Sequence, residues 1–141
     1  MSYLLDTNVL SELARPRPDA RVVRWFRAVP DESLHVSVLT RGEIRAGIER
    51  LPAGTRRERL RVWLEIELRG WFEGRLLDVD GSVADRWGRL VGESRRPIPA
   101  VDALLAATAL RHGLRLVTRN VADFEIDGLE VVDPWTAGEE S

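Results

Sequence analysis

The chain has 141 residues, 44% of them hydrophobic and 31% charged, with no cysteine and a formal net charge of −2. That length suits one domain with its own core. The missing cysteines exclude disulfides, zinc–thiolate sites and thiol nucleophiles, and near-neutrality leaves only a local patch to attract nucleic acid. All 21 basic residues are arginine, which excludes every mechanism that needs a lysine.

The N-terminus carries no basic leader segment, and its apolar run stops at Asp6, so it does not read as a signal peptide. No stretch approaches the roughly 20 apolar residues of a membrane span. A soluble, cytoplasmic protein without membrane contact is the expectation.

Tyr3–Leu5 reads as a short buried strand and Asn8–Ala14 as a helix ending before Arg15-Pro16-Arg17-Pro18. Asp19–Val29 is an amphipathic helix, with Val22, Val23, Phe26 and Val29 on one face. Leu34–Val38 alternates like a second strand, and a helix is predicted over Arg41–Leu51. After the turn at Pro52-Ala53-Gly54 comes a long, charge-laced helix over Thr55–Phe72, then a strand at Leu76–Val79 and a helix over Val83–Ser94. Pro97-Ile98-Pro99 is a rigid connector into a helix that stops at Gly113. Leu114–Thr118 and Leu129–Val132 complete the strands, and Pro134 ends the order.

Strands alternating with helices predict an α/β fold with one central parallel sheet of about five strands and helices on both faces. The domain is expected over residues 1–136, with a short frayed tail at 137–141.

In open parallel sheets ligands bind beyond the carboxyl ends of the strands. Asp6 stands at the end of strand one, Glu43 follows strand two, Asp102 opens the helix before strand four, and Asp123 follows that strand. Each has a purely structural alternative. Thr40-x-x-Glu43 spells a capping box, Asn120 can cap a short helix, Asp102 suits a helix dipole, and Asp6 or Thr7 can be an N-cap. Capping does not explain acids at four helix starts around one rim. Four converging carboxylates repel one another unless a cation neutralises them, and an all-oxygen acidic pocket suits Mg²⁺ or Mn²⁺. That chemistry points to metal-dependent phosphodiester hydrolysis.

The set Leu5-Asp6-Thr7-Asn8, Thr40-x-x-Glu43-x-x-x-Gly47, Asp102-Ala103-x-x-Ala106-x-x-Ala109 and Thr118-Arg119-Asn120-x-x-Asp123-Phe124 resembles the PIN domain. It looks most like VapC-type toxins of bacterial type II toxin–antitoxin pairs, in their FitB-like branch. That branch shares the extended start Thr7–Glu12, the Ile98-Pro99-Ala100-x-Asp102 approach and the closing Asp133-Pro134-Trp135. The resemblance implies a PIN-type endoribonuclease restrained by a small cognate antitoxin, similar to VapB or FitA, with a DNA-binding N-terminal domain. Promoter DNA is then reached only through the antitoxin, and a homodimer is expected. Asp6, Glu43, Asp102 and Asp123 match the family's acidic quartet, and Thr7, Asn8, Thr118 and Asn120 its supporting polar positions. An alternative within the same resemblance is a nuclease-poor subunit that acts mainly as a partner in a DNA-bound complex with its antitoxin.

RNA requires positive charge nearby. Arg41 and Arg45 flank Glu43, and Arg119 sits between Thr118 and Asn120, so these three are the expected phosphate contacts; the run Arg56–Arg61 is a mixed-charge helix face or a further contact. His35 and His112 fall away from the acidic rim and read as structural. Adjacent helical residues cannot face the same way, so one member each of Trp25-Phe26 and Trp71-Phe72 is expected at the surface, where a partner would cover it. Phosphotransfer folds with an aspartate after strand one fit worse, because they use Asp-x-Asp or a lysine where this chain has Asp6-Thr7-Asn8 and no lysine.

Overall fold

The structure, a computed structural model, describes residues 1–137. Strand β1 (Tyr3–Leu5) leads into α1 (Thr7–Leu13) and α2 (Ala20–Ala28); β2 (Leu34–Ser37) leads into α3 (Val38–Glu49). Next come α4 (Thr55–Val62), a π-helical stretch (Trp63–Leu68) and α5 (Arg69–Trp71), which run on from one another. The chain finishes with β3 (Leu76–Leu77), α6 (Gly81–Glu93), α7 (Ala100–His112), β4 (Arg115–Val117), a 3₁₀ turn (Val121–Phe124) and β5 (Val131–Val132).

All five strands are parallel, in the order β3-β2-β1-β4-β5. The predicted parallel sheet of about five strands is therefore present. The chain winds outward from β1 to β3 and then crosses to β4 on the other side, so the switch point lies between β1 and β4. The register pairs Leu4 with Leu116 and Leu5 with Val117, which brings the next residues, Asp6 and Thr118, side by side.

Alternation along the central strands divides the core. Leu5 and Val117 face one layer, with Val9, Leu10, Ile44, Ile48 and Leu64 from the helices between β1 and β3. Leu4 and Leu116 face the other, with Leu105, Ala106, Ala109 and Phe124. The alanines of α7 let that helix lie close to the sheet; α6 packs against α7 from outside. Tyr3 meets the Trp25 ring edge-on, with centroids 5.1 Å apart, within the preferred range for aromatic pairs.

Several boundaries differ from the sequence reading. α3 begins at Val38 rather than Arg41, because Ser37 at the end of β2 is the N-cap and its Oγ accepts from the Leu39 N–H at 3.1 Å. The capping box at Thr40 therefore does not form, and Thr40 is buried inside the helix. The strands are shorter at both sheet edges than predicted, where one neighbour is missing. The long Thr55–Phe72 helix widens into π turns at its centre. Order continues past Pro134: Trp135 is 4% exposed, and the Ala137 N–H donates to the Asp133 carbonyl at 2.9 Å. The rest of the expected tail, 138–141, lies outside the described residues.

Gly113 closes α7 with φ +66°, a left-handed conformation that disfavours any side chain. Gly88, inside α6, has open space where a Cβ would stand. Gly113→Ala is expected to lower unfolding free energy by about 1 kcal/mol and Gly88→Ala to raise it by about 0.5–1 kcal/mol. Urea denaturation should show midpoints moving in opposite directions with an unchanged slope.

Candidate active site

Asp6 does two jobs at once. Its backbone continues the ladder from β1, its N–H donating to the Val117 carbonyl at 2.9 Å. Its Oδ1 then caps α1 by accepting from the Thr7 N–H at 2.7 Å. The side chain is held at 7% exposure. The second oxygen, Oδ2, accepts from the Thr118 hydroxyl at 2.8 Å and from the Asn8 amide at 3.4 Å. Thr118 is fully buried at the end of β4, and its oxygen also accepts from Asn8 Nδ2 and from the Asn120 N–H, both at 3.1 Å. Asn8 Oδ1 in turn accepts from the Arg119 N–H at 3.2 Å.

Glu43 points from the second turn of α3 towards β1, where its Oε1 accepts from the Thr7 hydroxyl at 2.8 Å. Asp102 sits in the first turn of α7, and Asp123 in the 3₁₀ turn after β4. Asp102 reports that the four acids share one electrostatic environment. Burial pushes its carboxyl above the ordinary carboxylate range, and the charges of Asp6, Asp123 and Glu43 push it further. Among the described residues no arginine forms an ion pair with any of the four. Nor are three acidic or histidine groups drawn to ligand distance as they stand. The acids are coupled through space rather than touching. Their donor set is wholly oxygen, half-buried and uncompensated, which fits a small hard cation better than a proton or an arginine.

The structure brings together all of Asp6, Thr7, Asn8, Glu43, Thr118 and Asn120 by hydrogen bonds, and Asp102 and Asp123 by charge. It does so only for one of the three expected arginines. Arg119 is tied to the site through Asn8, and its guanidinium lies over the Trp135 ring, 4.9 Å from the centroid. Arg45 is instead engaged by Glu65 at 2.7 Å and Glu49 at 3.4 Å. Arg41 lines a separate cavity of about 480 Å³ beside β3. In the Arg56–Arg61 run, Arg61 pairs with Glu49 and Glu58, so the mixed-charge face is the correct reading there. Asn120 makes no side-chain cap. His35 and His112 line a cavity with Met1 and Ser2, at the opposite edge of the sheet from Asp6. The sequence reading missed Asn8 as the bridge between Asp6 and the β4 loop; the only signal was its place two residues after Asp6.

Two outcomes follow from this geometry. Thr118→Val removes a buried hydroxyl that serves three partners and is expected to cost about 1–3 kcal/mol in chemical denaturation. Asp102 has its carboxyl raised in the folded chain, so its charged form opposes folding at neutral pH. That cost disappears as pH falls below the ordinary carboxylate pKa of about 4. In chelator, Asp102→Asn is therefore expected to melt higher than wild type at pH 7, with the difference vanishing towards pH 3.

Residues 3–126 match the family model described as PIN domain. Plasmid stability protein StbB of Pseudomonas syringae pv. tomato is 40% identical over 95% of this chain and 99% of its own. VapC ribonuclease Y4jK of Sinorhizobium fredii is 36% identical, covering 94% of this chain and 96% of its own. Toxin FitB of Neisseria gonorrhoeae is likewise 36% identical over 94% of this chain and 97% of its own. The crystal structure of FitAcB from that organism superposes with a TM-score of 0.86 at 35% identity, covering 94% of this chain and 98% of that one. With a parallel sheet in the same arrangement and acids at its carboxyl edge, the chain belongs to the PIN-domain family, in the branch that holds the VapC and FitB proteins.

Proposed function

We propose that this protein is a divalent-metal-dependent endoribonuclease and the toxin of a type II toxin–antitoxin pair, acting in the cytoplasm. The observation that carries the reading is the uncompensated charge at the switch point: Asp102 is raised by burial and by three neighbouring acids, and among the described residues no arginine is paired to any of the four. The names of the relatives, a VapC ribonuclease and Toxin FitB, support the same activity.

Asp6 and Asp102 are the direct ligands of Mg²⁺ or Mn²⁺, because both are fixed on rigid elements and partly desolvated. Glu43 and Asp123 are exposed and bind directly or through water, which Mg²⁺ retains readily. When bound, the cation supplies an activated water and charge neutralisation for phosphodiester hydrolysis. Thr118 and Asn8 hold Asp6 Oδ2 in one rotamer, and Thr7 aims Glu43. Arg119, planar and stacked on Trp135, is the phosphate contact nearest these groups.

A small antitoxin with a DNA-binding N-terminal domain is the proposed inhibitor, and promoter DNA is reached through it alone. The outer face of the helix from Thr55 to Trp71 supports a protein interface, in a homodimer or with the antitoxin: Val62, Ile66 and Trp71 are 51%, 67% and 53% exposed. Of the two aromatic pairs, Trp71-Phe72 splits as predicted, while Trp25 and Phe26 are both half-buried against the core.

The test is RNA cleavage by the purified protein with Mg²⁺ or Mn²⁺ and with chelator, beside growth arrest on induced expression. Wild type should cleave only with the metal. Asp6→Asn and Asp102→Asn should lose at least about a hundredfold, and Asn8→Ala about ten- to a hundredfold, by analogy with residues that orient metal ligands. Cleavage that survives chelation, or growth arrest that survives Asp102→Asn, would overturn the assignment. A folded wild type inert on several RNAs would favour the nuclease-poor partner instead.

A further inference from the structure

A cavity of about 530 Å³ opens beside Asp123 and is not accounted for by the acidic site. On one side α6 contributes Arg86 and Arg89, and the connector before α7 contributes Arg95 and Arg96. On the other side the 3₁₀ turn and the loop after it contribute Asp123, Glu125 and Asp127. Leu110 and Ile126, both half-buried, supply apolar surface between them.

The arginines are exposed and largely unengaged. Arg89 has only a 3.5 Å contact with the equally exposed Asp85, worth little in water. Among the described residues Arg86, Arg95 and Arg96 form no ion pair. Arg45 and Arg61, by contrast, are consumed by Glu49, Glu58 and Glu65. A guanidinium already neutralised by a carboxylate has little to offer a phosphate, so free positive charge near the site concentrates in this cleft. The connector is also stiff. Ser94 Oγ donates to the Arg96 carbonyl at 2.6 Å and accepts from its N–H at 3.3 Å, and Pro97 and Pro99 follow. Arg95 and Arg96 therefore leave a preset backbone.

From this we infer that the cleft between α6, the connector and the 3₁₀ turn is the path of a single-stranded RNA substrate leading to Asp123. The inference rests on the nuclease reading above. The arginine side takes the phosphates. The carboxylate side repels phosphate but accepts hydrogen bonds from exocyclic amino groups of bases. Only unpaired bases present those edges freely, so the two-sided charge selects a single strand over a duplex.

Binding of a fluorescent 12-nucleotide RNA, single-stranded or as a duplex, is measured across salt in Asp102→Asn, which prevents cleavage. Each double substitution, Arg86→Ala/Arg89→Ala and Arg95→Ala/Arg96→Ala, is expected to weaken single-strand binding about tenfold. Each should also lower the slope of log K against log salt by about 1.4, since every phosphate neutralised on a single strand contributes about 0.7. The pair Arg24→Ala/Arg27→Ala, exposed on α2, removes the same charge elsewhere and should change neither. With wild-type acids, KM should rise and kcat hold. The cleft reading is overturned if salt slopes are unchanged, if the α2 pair costs as much, or if duplex binds as tightly as single strand. The two arginine pairs lie on different segments, and melting curves identify a variant that fails through misfolding. Wild type that binds single strands through the cleft but never cleaves would sink the nuclease reading alone. Wild type that cleaves while both pairs bind normally would sink the cleft alone.

Discussion

The hydrogen bond from the buried Thr118 hydroxyl to Asp6 Oδ2 joins the two central strands where the sheet first carries charge. It depends on the β1–β4 register, and that register depends on Leu4 and Leu5 facing opposite layers of the core. A slip of one residue would reverse both leucines and carry Asp6 away from Thr118. The apolar packing of the sheet and the polar geometry of the site are thus one constraint. Asp6 can be nearly buried as a carboxylate because one oxygen caps a helix and the other receives a hydroxyl and an amide. A buried acid so satisfied need not protonate.

The remaining acids are treated differently. Glu43 has one hydroxyl donor and is exposed; Asp102 is half-buried among like charges. The fold answers negative charge elsewhere with arginine, as around Glu49, and leaves it unanswered at the switch point. Arginines crowd the helix from Thr55 and the approach to α7, yet in the first they pair off and in the second they stay free. The contrast separates a surface that stabilises itself from one that waits for a polyanion.

Much of the fold was legible because parallel strands buried on both faces read as apolar runs bounded by turns. The quartet was legible because each acid directly follows or opens such an element. The edge of α3 was not. Ser37 and Thr40 are both acceptable caps, and the choice is made by Glu43 turning to Thr7, far away in sequence. Arg45 and Arg119 looked equally suitable beside their acids, but Glu65 takes the first and Asn8 with Trp135 positions the second. The cleft arginines were overlooked because Arg95 and Arg96 precede a proline connector and Arg86 and Arg89 belong to another helix; only the packing of α6 on α7 unites them.

The π-helical stretch between Trp63 and Leu68 has a meaning for insertions and deletions. Its i→i+5 bonding accommodates residues that an α-helix of the same rise would not. Leu64 and Leu68 face the core on either side of it while Ile66 faces outward, and Phe72 is buried just beyond. Each residue of an α-helix turns the chain by about 100°. Losing a single residue here would regularise the helix and swing everything after it by that angle, taking Phe72 out of the core and Trp71 off its surface. Length, rather than composition, is what this segment cannot vary. Point substitutions can drift across its outer face, whereas a one-codon deletion would rewrite both the core and the exposed apolar face together.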